Sequence, residues 1–98
     1  MHVGICQVTL YLPDNHSLKG KRKVIKSLIE RLKNRFNVAV AETGGQDEWQ
    51  RAVLSLCLVA NDGSFVNQGL DKILDFIEAD GRLDVGEASL EILAFHDQ

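Results

Sequence analysis

A two-layer α+β sandwich is the fold that this sequence predicts. Three observations carry it. Four segments alternate apolar and polar residues with a period of two. Two segments repeat apolar residues at three- and four-residue spacing, and turn-forming residues separate all six in the order β-α-β-β-α-β. The chain has 98 residues, 45% of them hydrophobic and 26% charged, which are the proportions of one globular domain. A second domain would be too small to bury a core of its own.

Residues 2–12 read as the first strand. Cys6, Val8, Leu10 and Leu12 fall on one face, with Ile5, Gln7, Thr9 and Tyr11 on the other. Pro13, Asp14, Asn15 and His16 end it, because proline lacks a ladder donor and Asp and Asn favour turns. Ser17 is placed to cap a helix, and Val24, Ile25, Leu28, Ile29, Leu32 and Phe36 form its apolar stripe, so the helix should end near Arg35. Residues 37–43 are small and β-branched and read as a short strand, followed by a turn over 44–48.

The third strand spans 51–61, with Ala52, Leu54, Leu56, Leu58 and Ala60 on one face and Val53, Ser55, Cys57 and Val59 on the other. Asp62 and Ser64 are cap candidates for a second helix with Val66, Leu70, Ile73, Leu74 and Ile77 on its apolar side. Gly81 stands where a left-handed C′ residue belongs. The last strand spans 85–95, with Ala88, Leu90, Ile92 and Ala94 expected to point inward. This order is that of the ferredoxin-like, split βαβ sandwich. Right-handed crossovers leave room for the third strand between the first two and predict an antiparallel sheet of order 4-1-3-2. The competing arrangement is another two-layer α+β fold with a different strand order.

The net charge is −3, a sum that argues against a general nucleic-acid binder. The charges are segregated, however. Between Ser17 and Arg35 lie eight of the eleven basic residues and one acid, Glu30, so that segment carries +7 and the rest of the chain −10. Lys19, Lys21, Arg22 and Lys23 occupy the first two helical turns, where the helix dipole disfavours cations, and Lys26 follows. Cations, dipole and free N–H groups together suit a phosphate. The competing reading is an ordinary solvated face with a Lys26–Glu30 pair. The topology brings the start of the first helix to the same edge as the 44–50 hairpin, which adds Trp49 and Arg51 to the candidate anion- or RNA-binding set. Trp49 could stack on a base or fold back to anchor its own hairpin, and Glu42 is positioned to pair with Lys21 or Arg22.

Both helices cover one sheet face. The other would present Ile5, Tyr11, Val53, Cys57, Leu93 and Phe95, too apolar a surface to face water. This predicts a homodimer packed through that face in preference to RNA stacking on the sheet, because the central strands carry no aromatic ribonucleoprotein motif.

The sequence offers no catalytic constellation. His2, His16 and His96 are scattered, and Cys6 and Cys57 have no metal-ligand spacing. Gly44-Gly45 precedes a strand and lacks the GK(S/T) of a phosphate loop. An acylphosphatase-like loop would need an arginine, and residues 13–20 contain none. No cofactor or metal is expected. No membrane span or secretory signal is read, and two free thiols fit a reducing, cytoplasmic setting.

Three blocks carry a resemblance: Ser17-Leu18-Lys19-Gly20-Lys21-Arg22, then Arg35-Phe36-Asn37-Val38-Ala39-Val40-Ala41-Glu42, then Gln46-Asp47-Glu48-Trp49-Gln50-Arg51-Ala52. Together they resemble the YlxP-like family of small bacterial proteins, over nearly the whole chain. The resemblance implies a ferredoxin-like fold. Through gene neighbourhood with translation-initiation and ribosome-maturation factors, it also implies a role near RNA or the ribosome. It implies no catalytic residue. The family usually has an acidic residue where this chain has Gly20, so its capping box with Ser17 is broken here. The expected function is therefore that of a non-enzymatic, RNA- or ribosome-associated protein. The alternative is a protein-interaction or assembly module whose basic helix docks on an acidic partner.

Overall fold

The computed structural model describes residues 1–96. Its elements run β1 (His2–Tyr11), α1 (Leu18–Arg35), β2 (Ala39–Gly44), β3 (Arg51–Ala60), α2 (Gly63–Glu78) and β4 (Asp84–Ala94). The sheet is antiparallel in the order β2-β3-β1-β4. This is the expected ferredoxin-like order, with β1 and β3 central because each crossover skips one strand position. One end of the sheet carries Tyr11, Arg51 and Asp84, and the other carries His2, Ala60 and Ala94.

The core lies between sheet and helices. Cys6, Val8 and Leu10 of β1 and Ala52, Leu54 and Leu56 of β3 meet Ile25, Leu28 and Leu32 of α1 and Val66, Leu70, Ile73 and Ile77 of α2. The helix caps are local. Ser17 Oγ accepts the Gly20 N–H at 2.9 Å, and an Asp62 carboxylate oxygen accepts the Ser64 N–H at 2.8 Å. Gly20 leaves room for the Asn15 side chain, since a Cβ there would lie 2.3 Å from Asn15 Oδ1 and that side chain would have to move.

Two expectations are corrected. Gly81 is not a left-handed cap: among the described residues Gly45, at φ +75°, is the only glycine with positive φ. Instead α2 closes on Ala79 in a right-handed conformation, with Ala79 N–H donating to Asp75 O and Asp80 N–H to Ile77 O. The second correction concerns β4. Its register places Leu90 beside Cys6 and Ile92 beside Gly4, on the helix side as expected, yet Leu90 is 43% and Ile92 37% exposed. The physical cause is Gly4. A Cβ there would meet Val66 Cγ1 at 2.3 Å and Leu70 Cδ1 at 3.0 Å, so α2 settles directly onto β1 and leaves the outer half of β4 uncovered.

Candidate functional site

The basic segment folds as α1, and its helical phase divides the cations into three groups. Lys19, Arg22, Lys23, Lys26 and Lys33 follow one another along the outer surface, all exposed, with Glu30 among them. From Lys19 to Lys33 the stripe is about 21 Å long at 1.5 Å per residue. Among the described residues these five cations have no ion-pair partner. Arg22, Lys26 and Lys33 also edge a shallow groove of about 460 Å³, floored by Ile25 and Ile29 and bounded by Glu30 and Glu42.

Arg31 and Arg35 turn toward α2. Arg31 pairs with Asp80 at 3.2 Å and lies over the Phe76 ring, which Arg35 also covers. Asp80 is buried and also takes two hydrogen bonds from the Arg82 side chain and one from its N–H. The Arg82 side-chain hydrogen bonds, more than any other cause, hold the Asp80 carboxyl down to about 2. These groups tie α1 to the end of α2.

Lys21 is the third group, and it corrects the sequence reading. It was expected at an exposed anion site, but it is 0% exposed. Its Nζ donates to the carbonyl oxygens of Gly45, Gln46 and Arg51 and lies 3.2 Å from Glu42 Oε2. The ammonium protons go to carbonyls, so the buried Glu42 Oε2 receives charge without a hydrogen bond. A signal for this placement stood in the sequence: Ile25, Leu28 and Leu32 follow Lys21 at i+4, i+7 and i+11, so Lys21 is in phase with the buried stripe. Nor is the start of α1 an open phosphate cradle, because Ser17 Oγ already occupies the Gly20 N–H.

Lys21 nevertheless builds the site, because it fastens the β2–β3 hairpin beneath the start of α1. Asn15 adds a second fastening that the sequence reading missed: its Nδ2 donates to both Ser17 O and Trp49 O. Gln50 Nε2 donates to Pro13 O and Asn15 O. The expected shared edge therefore forms. It holds Trp49 in place by its backbone and leaves the residue 55% exposed, so the indole does not fold back into the hairpin. Arg51 is committed to Glu48 at 2.7 Å, and that carboxylate raises its pKa.

On the open sheet face, cross-strand rows separate the remaining candidates. Val59, Val3 and Leu93 form an apolar row, and Cys57, Ile5 and Glu91 the next. Ser55, Gln7 and Ser89 make a polar middle, with Gln7 Nε2 donating to Ser55 Oγ. Val53 pairs with Thr9, and Tyr11 lies beside Arg51 at the far end. The face is thus apolar mainly toward Leu93 and Phe95, while Val53 and Cys57 are only half exposed. No helix of the described residues is long and apolar enough to cross a membrane.

The chain is similar to known proteins along most of this framework. A de novo designed protein, Foldit4, superposes with a TM-score of 0.53 at 15% identity, covering 98% of this chain and all of that one, which shows the fold alone. An uncharacterized protein of Bacillus subtilis strain 168, YlxP, is 34% identical over 77 residues, covering 79% of this chain and 84% of that protein. The family described as a protein of unknown function, DUF503, matches residues 3–90, from β1 into β4 and across both the α1 stripe and the hairpin. With a relative of that identity and a match of that extent, the chain belongs to the DUF503 family, the YlxP-like proteins of unknown function.

Proposed function

We propose that this protein is a non-enzymatic RNA-binding protein that lays the sugar–phosphate backbone along the outer stripe of α1. One observation carries the reading: Lys19, Arg22, Lys23, Lys26 and Lys33 share one exposed face without an ion-pair partner among the described residues. Helices stabilised for their own sake neutralise such a row with i,i+4 acids, and only Glu30 is present. Trp49, held outward beside the start of the same helix, supplies a surface for a base. The net negative charge of the rest of the chain disfavours phosphate elsewhere and helps to orient the approach. A ribosomal RNA surface offers this chemistry at high density.

The test is binding of labelled single-stranded RNA, structured RNA and ribosomal subunits across a salt series. The wild type should bind with a log–log salt slope of about −3, from four or five neutralised phosphates. An Arg22→Glu/Lys26→Glu/Lys33→Glu variant should lose both the affinity and the slope. Equal binding by both proteins, or binding by neither, would overturn the reading. Capture of an acidic protein with no RNA affinity would replace it with the docking alternative.

A further inference from the structure

Among the described residues ten large hydrophobics stand exposed; Leu90, Ile92 and Leu93 lie near the end of a single strand, and Phe95 directly follows it. That strand, β4, is a sheet edge with its outer side unpaired. From Ala88 to Ala94 it contains no proline, glycine or lysine, and its one charge is Glu91. Natural edge strands are normally blunted by such residues or by bulges. The β1–β4 irregularity lies between Val8 and Leu10, opposite Gly86 and Glu87, and leaves the stretch beyond it regular. The opposite edge, β2, is short, is built from small residues, and has its own irregularity at Glu42/Gly44.

The backbone phase of β4 is fixed by its pairing with β1. Met1 and Phe95 exchange both backbone hydrogen bonds, at 3.0 and 2.8 Å. In an antiparallel ladder such pairs alternate with non-bonded ones. Leu93, Glu91 and Ser89 therefore spend their N–H and C=O groups on β1. Ala88, Leu90, Ile92 and Ala94 point theirs outward, at the edge.

We infer that β4 pairs antiparallel with β4 of a second copy, making one continuous eight-stranded sheet with a two-fold axis at Ile92. The strand's own pattern suits a second copy of itself and sets the register of the pairing. Only outward-facing residues can exchange hydrogen bonds, so even-numbered residues must face even-numbered ones. That parity sets the axis perpendicular to the sheet and keeps all four helices on one side. An axis at Glu91 would oppose two carboxylates at the closest cross-strand spacing, which is unfavourable. An axis at Leu90 would draw the irregular Gly86–Glu87 segment into the pairing. With the axis at Ile92, Ile92 meets its own counterpart and Leu90 meets Ala94, while Leu93 covers the aliphatic stem of Glu91. The area buried is on the order of 1,000 Å², near the lower limit for a specific interface, so the dimer is concentration-dependent. It moves the self-association expected of the open face to the adjoining edge, and it is independent of the RNA reading.

Sedimentation equilibrium over a concentration series, combined with residue-resolved amide exchange, tests it. The mass should rise toward twice that of the chain. Amide exchange at Leu90 and Ile92 should slow as the dimer forms, while Ser89 and Glu91 stay protected throughout. Ile92→Lys should retain the wild-type circular dichroism and remain a monomer at all concentrations. A single-chain mass at every concentration would overturn the proposal. So would a dimer whose Leu90 and Ile92 amides exchange as fast as in dilute protein. A dimer that persists in Ile92→Lys and dissociates in Ile5→Lys would assign the contact to the open sheet face instead. The amide readout uses wild-type protein, so it decides the matter even if a variant fails to fold.

Discussion

Lys21 Nζ lies 3.2 Å from Glu42 Oε2, with the lysine wholly removed from water and its protons directed at three carbonyl oxygens of the β2–β3 hairpin. A buried ammonium in such a cage couples the helix to the hairpin. Replacing it leaves four oxygens without their counter-charge. Lys21→Met should therefore destabilise the protein by about 3 kcal/mol, measured by denaturant unfolding. Its RNA affinity at low temperature, where the fold persists, should fall no further than that of Trp49→Ala, because this cation is not part of the outer stripe and acts only through the hairpin that carries Trp49. A loss of affinity equal to that of Arg22→Glu would contradict the division of labour within α1.

The Asp80 cluster sets an acid limit on stability. The Arg82 side chain, with help from its N–H and from Arg31, holds the Asp80 carboxyl down to about 2 from an ordinary 3.8. A carboxyl whose folded pKa is depressed stabilises the fold fully above its unfolded value. That contribution, about 2 kcal/mol, should disappear as the pH falls from about 4 toward 2. Asp80→Asn should flatten this limb of a stability-versus-pH curve while lowering stability at neutral pH. A wild-type curve that stays level from pH 5 to pH 2 would show that Asp80 is not so held.

Gly4 is the seat of α2. Gly4→Ala would push a Cβ to within 2.3 Å of Val66 Cγ1 in a buried contact, and α2 would have to lift. A cost of about 1–3 kcal/mol is expected from overpacking. Thermal unfolding should report it, and a stability equal to that of wild type would mean that α2 is free to shift along β1.

Trp49 lets the proposed binding role be tested apart from any folding role. With its ring exposed and its backbone carbonyl carrying the Asn15 hydrogen bond, Trp49→Ala should alter stability by less than about 0.5 kcal/mol. In the wild type, indole fluorescence should quench on single-stranded RNA. In the variant, binding should weaken by about 1–3 kcal/mol, the range for one stacked base. Quenching without any loss of affinity in the variant would mean that the indole only stands near the bound strand.

The two thiols should differ in reactivity. Cys6 is buried, and burial pushes its thiol pKa up, so it should resist a maleimide reagent in the folded protein. Cys57, half exposed on the open face, should label first, as mass spectrometry of the digested protein would show. Simultaneous labelling of both would indicate that β1 and its neighbours open together.

The sequence by itself determined the order of elements, their approximate ends and the antiparallel order of the sheet. It could do so because alternation, helical spacing and turn residues are local signals, and because crossover handedness leaves few topologies open. It also determined that α1 is basic and that its start meets the hairpin bearing Trp49. Tertiary structure decided which cations serve which purpose. Lys21 is chemically the same as Lys19 and Lys23, yet its phase with Ile25, Leu28 and Leu32 carries it inward, where the hairpin carbonyls and Glu42 receive it. Asp80 meets Arg82 within its own turn, but only folding brings Arg31 to it from 49 residues away. The exposure of Leu90 and Ile92 was also beyond local reading. Their alternation marks the inner face correctly, but coverage depends on where a helix 20 residues away comes to rest, and Gly4 seats that helix on β1. Periodicity tells a side chain which way to point. Only the packing of separate elements settles what, if anything, it meets there.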